Sequence, residues 1–212
     1  MPEARQPERR SPLFHRRPLE AEGGAVRMVE QPFVGKHILR ADPSEAVEPL
    51  RSALRLGLPF DPLTSSLSGE TAFLWMGPDE WMLVSAEAEA AARASAACAA
   101  LAGVHHQLVD VSDYYTVIEL AGPRARELLM KLTPLDVHPR AFRAGMVTGS
   151  LFGRANATLW QTADDAEDGG PVFRLFVRWS MADYLWCLLA DAGREWGVPE
   201  EVPIKGERLR VD

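Results

Sequence analysis

"LWMGPDEWMLVS", from Leu74 to Ser85, joins two apolar runs, each carrying a tryptophan, through Gly77-Pro78-Asp79-Glu80. Gly77 and Pro78 end the first run, Pro78 holds a φ suited to a tight turn, and Asp79 can cap that turn with its own side chain. The stretch therefore predicts a β-hairpin with an acidic tip. Its position between two helical patterns decides the fold.

Upstream, "VGKHILR" (34–40) predicts a strand, and "PSEAVEPLRSALRLG" (43–57) predicts a helix capped by Ser44, bent at Pro49 and ended by Gly57. A loop, "LPFDPLTSSLSGE" (58–70), leads into the hairpin. Downstream, "EAEAAARASAACAALAG" (87–103) is an alanine-rich helix with acidic residues in its first turn, where the helix dipole favours them. "HHQLVDVS" (105–112) is the next strand. The order is β-α-β-β-α-β, that of a ferredoxin-like unit.

A second round begins at "YTVIELAGPRARELLMKL" (115–132). Alternating Val117, Ile118 and Leu120 stop at Gly122-Pro123, and Pro123 suits the first turn of a helix carrying Leu128, Leu129 and Leu132. "PLDVHPRAFRAG" (134–145) is a loop, and "MVTGSLFG" with "ATLWQT" forms a hairpin through Arg154-Ala155-Asn156. "ADDAEDGG" (163–170) is a solvated acidic loop, "VFRLFVRW" (172–179) a strand, and "SMADYLWCLLADAGREWG" (180–197) an amphipathic helix capped by Ser180. The fold class is α+β: two halves of like grammar, about 34–110 and 111–197, with antiparallel or mixed sheets and helices on one face. Residues 25–212 are expected to form one domain. The first 24 residues are rich in Pro and Arg and lack periodicity, so they are expected to be mobile unless a partner orders them, with Leu13-Phe14 as an anchor.

Composition narrows the function. The 212 residues are 47% hydrophobic and 25% charged, enough for a sizeable core. A formal net charge of −7 argues against nucleic acid or an anionic membrane as partner. No apolar run approaches the ~20 residues that span a bilayer, and no signal-peptide core is present, so the expectation is a soluble cytoplasmic protein. Cys98 and Cys187 stand far apart in apolar helical patterns and are expected to be inert core thiols.

No dinucleotide or P-loop motif follows a strand. His105 and His106 alternate to opposite faces of a strand and cannot easily chelate one metal. Asp110, Ser112 and Asp113 have no histidine placed beside them as a base, so they are turn and cap residues. Asp79 and Glu80 lie in a turn, where a shared-proton pair lacks the burial it needs. His138 precedes a proline in a loop that shapes a surface.

"LVDVSDYYTVIELAGPRARELLMKLTPLDVHPRAFRAGMVTGSLFG" (108–153) resembles the core of the aminomethyltransferase (glycine-cleavage T-protein) superfamily. The shared pattern is an Asp-x-Ser segment, a strand, a Gly-Pro-x-Ala helix and a strand running into the substrate region. "LWMGPDEWMLVS", "AGPRAR" (121–126), "PLDVHPRAF" and "SMADYLWCLLADAGREWG", in order and spacing, are similar more specifically to the gamma subunit family of heterotetrameric sarcosine oxidases. The likeness covers about Val34 to Gly197.

The resemblance implies a four-subunit complex that oxidatively demethylates sarcosine to glycine, giving hydrogen peroxide and a one-carbon unit passed to tetrahydrofolate. It implies FAD, FMN, NAD and tetrahydrofolate on the other subunits and no cofactor, metal or catalytic residue on this chain. The partners implied are the alpha, beta and delta subunits, with direct contact to the large alpha subunit. Active aminomethyltransferases carry a folate-orienting carboxylate on the strand matching "LFGRANATLWQ" (151–161); here Ala157-Thr158-Leu159-Trp160 stand there, with no carboxylate before Asp164. A stand-alone folate-dependent one-carbon transfer or folate-binding protein is the alternative, and complete aminomethyltransferases are considerably longer. Trp75 and Trp81 are expected to be core or edge-of-core residues that fix the hairpin. Contact candidates are Pro78, Asp79, Glu80 and Trp81 of the turn, Tyr114 and Tyr115, and His138, Arg140 and Phe142 of the 137–142 loop, with Tyr184-Leu185-Trp186 of the same aromatic kind.

Overall fold

Thr71–Gly77 and Glu80–Ser85 pair antiparallel with Gly77 opposite Glu80, leaving Pro78 and Asp79 as a two-residue loop. Around this hairpin the computed structural model describes residues 9–166 and 169–200. The elements in chain order are β1 (Leu19–Glu20), β2 (Arg27–Gln31), β3 (Gly35–Ala41), α1 (Pro43–Leu54), β4 (Ser65–Ser68), β5 (Thr71–Gly77), β6 (Glu80–Ser85) and α2 (Glu87–Ala100). They continue with β7 (His106–Asp110), β8 (Tyr115–Ala121), α3 (Ala125–Met130), β9 (Val147–Phe152), β10 (Ala155–Ala163), β11 (Val172–Arg178) and α4 (Trp179–Gly193).

Two antiparallel sheets result. One runs β4-β5-β6-β3-β7, which is the split β-α-β order of a ferredoxin-like unit with β4 added at the edge. The other runs β1-β2-β8-β11-β10-β9. Apart from β1, added outside β2, it repeats the first arrangement strand for strand, except that its closing strand, β2, comes from the N-terminal side of the chain. The second half therefore does not close with residues 111–197 alone.

Each sheet packs its helices on one face. Leu39, Phe73, Trp81 and Leu83 meet Ala46, Leu50 and Leu54 of α1 and Ala97 of α2. Ile118, Leu120, Leu159, Phe173 and Leu175 meet Leu128 and Leu129 of α3 and the buried stripe Ala182, Leu185, Trp186, Leu189 and Ala190 of α4. That stripe follows the helical i, i+3, i+4, i+7 spacing. The opposite faces pack on each other: Ala72, Leu74, Met82 and Val84 of one sheet join Val117, Val147, Trp160 and Phe176 of the other in a third core. The order of layers is helix, sheet, sheet, helix. Strands buried on both faces read as continuous apolar runs, and "TAFLW" and "WMLVS" are such runs.

The N-terminal segment departs from the expected mobile tail. Residues 1–8 lie outside the described residues, but from Arg9 onward the chain is packed on the domain. Leu13 is 1% exposed within the core under α4. Ser11 Oγ donates to Glu30 at 2.6 Å, Arg16, its side chain buried, pairs with Asp183 at 2.8 Å, and Arg9 reaches Asp113 at 2.8 Å. Apolar burial and these pairs offset the ordering cost. Phe14, the other half of the expected anchor, is exposed.

Gly122 explains the Gly-Pro of "AGPRAR". Its φ is +116°, and a Cβ there would stand 2.7 Å from the Ala25 carbonyl, which accepts from Arg124 N. The turn from β8 to α3 is thus pressed against the N-terminal segment.

Several local expectations shift. The side chain capping α1 belongs to Asp42, which accepts from Ser44 N at 2.8 Å; the helix runs through Pro49 and ends before a left-handed Arg55, not at Gly57. α4 begins at Trp179, so Ser180 lies inside it and caps nothing. α3 starts after Pro123 and is only six residues long. The expected loop 58–70 contains β4, an edge strand without an apolar pattern. The turn between β9 and β10 is Gly153-Arg154, with Ala155 and Asn156 already in strand. Cys98 is exposed and Cys187 half-buried, so neither is a fully buried core thiol.

Candidate functional site

On the inter-sheet side of the larger sheet, the end beyond the neighbouring sheet forms an open cavity of about 310 Å³, lined by Tyr115, Gly149, Leu151, Asn156, Thr158, Phe176 and Arg178 among others. Alternation places the four residues at the expected carboxylate position. Ala157 and Leu159 turn into the core under α4, Trp160 enters the core between the sheets, and Thr158 faces the cavity. The cavity lining contains a cation and hydroxyls but no carboxylate.

The nearest acidic residues along the chain are engaged elsewhere. Asp164 accepts from Ala144 N at 2.9 Å and Gln161 Nε2 at 2.7 Å, and Asp165 accepts from Gly170 N at 2.7 Å. Arg126 completes that frame. Its guanidinium donates to the carbonyls of Val137 and Phe142 and to Gln161 Oε1, which fixes the 137–145 loop on the sheet, and burial pulls its pKa below the usual value.

A separate, wider cavity of about 580 Å³ lies between α3 and this loop, lined by Arg126, Glu127, Met130, His138, Arg143 and Asp164 among others. Asp136 and His138 meet through the loop backbone. Asp136 accepts from the His138 backbone N at 3.0 Å, and His138 Nδ1 accepts from Arg140 N at 3.2 Å, so both shape the loop.

The tip of the β5–β6 hairpin resolves into ion pairs. Arg40 meets Asp79 at 3.0 Å and Glu80 at 3.6 Å, so the two carboxylates share a cation, and the Asp79 side chain does not cap its own turn. Trp81 is fully buried, with Nε1 donating to the Pro59 carbonyl at 2.8 Å, and Phe142 is 1% exposed in the core under α4. Trp81 thus takes the core position that fixes the hairpin, and as contact candidates both aromatics are corrected: they serve this chain's own core and present no surface to a partner. Leu185 and Trp186 are likewise buried, while Tyr184 is exposed. Pro78, Asp79, Tyr114, His138 and Arg140 are exposed, and Glu80 and Tyr115 are half-buried.

The structure brings some of these together. Tyr114 and Tyr115 pack edge-on at 4.7 Å, and Arg178 lies over the Tyr114 ring at 5.3 Å. Burial pushes the Tyr115 hydroxyl pKa up, Tyr114 and Glu80 raise it further and Arg178 opposes them; Tyr115 and Arg178 both line the smaller cavity. His138 belongs to the other cavity. Leu151 and Arg178 were missed as surface candidates, although Leu151 in the strand "VTGSLF" is an apolar residue at an outward position of an edge strand.

Asp110 and Ser112 take the turn roles the sequence suggests. Asp110 accepts from Ser112 N at 2.8 Å, and Ser112 Oγ accepts from Lys36 N at 3.0 Å. Lys36 itself is fully buried on β3; its Nζ donates to the Val34 carbonyl at 2.5 Å, and burial brings its pKa down to about 8. Among the described residues no three or more His, Cys, Asp or Glu side chains gather in a metal-binding group. Among them, too, no helix is long and apolar enough to cross a membrane.

The paired sheets with outer helices define a T-protein-like α+β protein. An aminomethyltransferase T of the glycine cleavage system from Bartonella henselae shares this fold, with a TM-score of 0.56, 16% identity, and 81% of this chain and 47% of that one covered. Residues 39–195 match the model of the sarcosine oxidase gamma subunit family, and the chain belongs to that family. It is similar to the sarcosine oxidase subunit gamma of an Arthrobacter species, 35% identical over 164 residues, covering 74% of this chain and 79% of the relative. A chain of the heterotetrameric sarcosine oxidase from Corynebacterium sp. U-96, solved with pyrrole 2-carboxylate, superposes with a TM-score of 0.78 at 30% identity, covering 92% of this chain and 99% of that chain.

Proposed function

We propose that the chain is a structural, non-catalytic gamma subunit of a cytoplasmic sarcosine oxidase heterotetramer. The complex demethylates sarcosine oxidatively to glycine, yielding hydrogen peroxide and a one-carbon unit passed to tetrahydrofolate. FAD, FMN, NAD and tetrahydrofolate belong to the alpha, beta and delta subunits, and this chain contacts the large alpha subunit directly. The observation that carries the reading is the cavity at Thr158. A site that orients an amine on folate needs a negative charge, whereas here the strand offers a hydroxyl beside Arg178, and Asp164 and Asp165 are committed to loop backbone. The near-complete overlap with a chain of the Corynebacterium complex supports the quaternary part of the reading.

The test is the purified chain alone. It should be colourless, leave sarcosine unoxidised and transfer no one-carbon unit to tetrahydrofolate, while the assembled complex oxidises sarcosine. Turnover by the isolated chain that Asp164→Asn or Asp165→Asn abolishes would overturn the reading in favour of a stand-alone folate enzyme.

A further inference from the structure

We infer that the open edge of β9 is where a short extended segment of another oxidase subunit docks, an inference that rests on the function proposed above. The chain itself shows how this edge accepts a strand. Val147 N donates to the Leu63 carbonyl at 2.9 Å, and Thr64 bridges Met146 in antiparallel fashion. At the other end Gly153 N donates to the Leu132 carbonyl at 2.8 Å. Alternation makes the amides of Val147, Gly149, Leu151 and Gly153 point away from β10. The first and last are therefore satisfied by this chain, and Gly149 and Leu151 between them have no partner among the described residues.

The side chains around this gap define what fits. Leu151 is 47% exposed, a large apolar side chain presented on an edge strand, which soluble proteins normally cover or charge. The adjoining cavity, with Tyr115, Phe176 and Thr158, leaves room beside Leu151 for a side chain of the incoming strand. Arg178 stands at its rim with no carboxylate in ion-pair range among the described residues, and the turn beside the edge carries Arg154, in the same condition. Arg178 also lies over the Tyr114 ring, but in a chain of net charge −7 two cations without a carboxylate beside an apolar gap are complementary to a carboxylate from outside. The occupant is thus an extended segment with an aliphatic and an acidic side chain, adding main-chain hydrogen bonds at Gly149 and Leu151. A second copy of this chain would lay its own β9 against the gap, and Val147–Phe152 carries no carboxylate to meet Arg154 and Arg178.

The experiment compares residue-resolved amide exchange in the purified heterotetramer and in the isolated chain. Gly149 and Leu151 amides should slow by about tenfold or more on assembly. Leu151→Asp and Arg178→Glu, with unchanged melting, should each lose copurification with the other subunits, while Val109→Asp, an exposed apolar site on β7 at the edge of the other sheet, should retain it. An active heterotetramer in which both amides exchange as in the free chain overturns the inference and leaves the gamma-subunit function standing. Protection that arises only in a homodimer overturns it as well. Failure of the wild-type chain to enter any complex refutes the proposed function, and the docking inference falls with it.

Discussion

Leu13→Ala tests whether the N-terminal segment belongs to the folded domain. The side chain is 1% exposed and packs with β2, β8 and α4, so truncation removes buried apolar surface and leaves a hole that the neighbours fill only partly. Such changes cost about 2–5 kcal/mol. At about 2–4 °C per kcal/mol for a domain of this size, a mid-range loss of about 3 kcal/mol lowers Tm by roughly 6–12 °C. The control is the adjacent Phe14→Ala. Phe14 is 58% exposed, and its loss should cost no more than about 0.5 kcal/mol. Thermal melts of the isolated chain read both. Equal melting of Leu13→Ala and wild type would show that the segment is loose and that β2 closes its sheet without help from residues before it.

Three further outcomes follow from buried groups. Lys36→Met should stabilise the fold at pH 7 by up to about 3 kcal/mol, because burial lowers the lysine from 10.5 to about 8. In that window the unfolded wild type holds a proton the folded one lacks, so wild-type stability rises from pH 8 to about 10.5 and the variant's advantage shrinks; urea unfolding at pH 7 and 10 reads this, and a constant difference would refute it. Trp81→Phe leaves the Pro59 carbonyl without its donor and should cost about 1–3 kcal/mol in denaturant unfolding, against near-neutrality if Trp81 were a partner contact. Gly122→Ala places a Cβ 2.7 Å from the Ala25 carbonyl at a φ of +116° and should cost about 1–3 kcal/mol, whereas unchanged stability would separate the β8–α3 turn from the N-terminal segment.

The legible parts of the fold were those with a local signal. The hairpin, both long helices and the strands at 115–121 and 172–178 combine apolar periodicity with Gly or Pro punctuation, and they form close to where the sequence places them. β2 was missed because "RMVEQ" has one buried residue, Met28, and its outward side chains Arg27 and Gln31 hide the alternation. Its pairing with β8, some ninety residues away, has no local signature. β4 is legible only through its partner, since "SSLS" buries nothing fully.

For the site, composition told aromatics from charges but not inside from outside. Trp81 fits both a core position fixing the hairpin and a turn contact, and strand alternation decides for the core by sending it toward α1 and α2; Phe142 looked like a surface anchor because it follows loop residues, yet the Arg126 clamp draws its loop into the core. The docking edge was hidden for the opposite reason. Leu151 reads as core in a hydrophobic strand, and only the sheet order reveals it at an edge.

The central claim is that this chain works as one subunit among four. Its most direct test is native mass measurement of material purified through a tag on this chain, coexpressed with the alpha, beta and delta subunits. The account predicts one particle containing one copy of each of four different polypeptides, carrying flavin and oxidising sarcosine. Recovery of the tagged chain alone, or as a homo-oligomer, in the presence of the other three would contradict it.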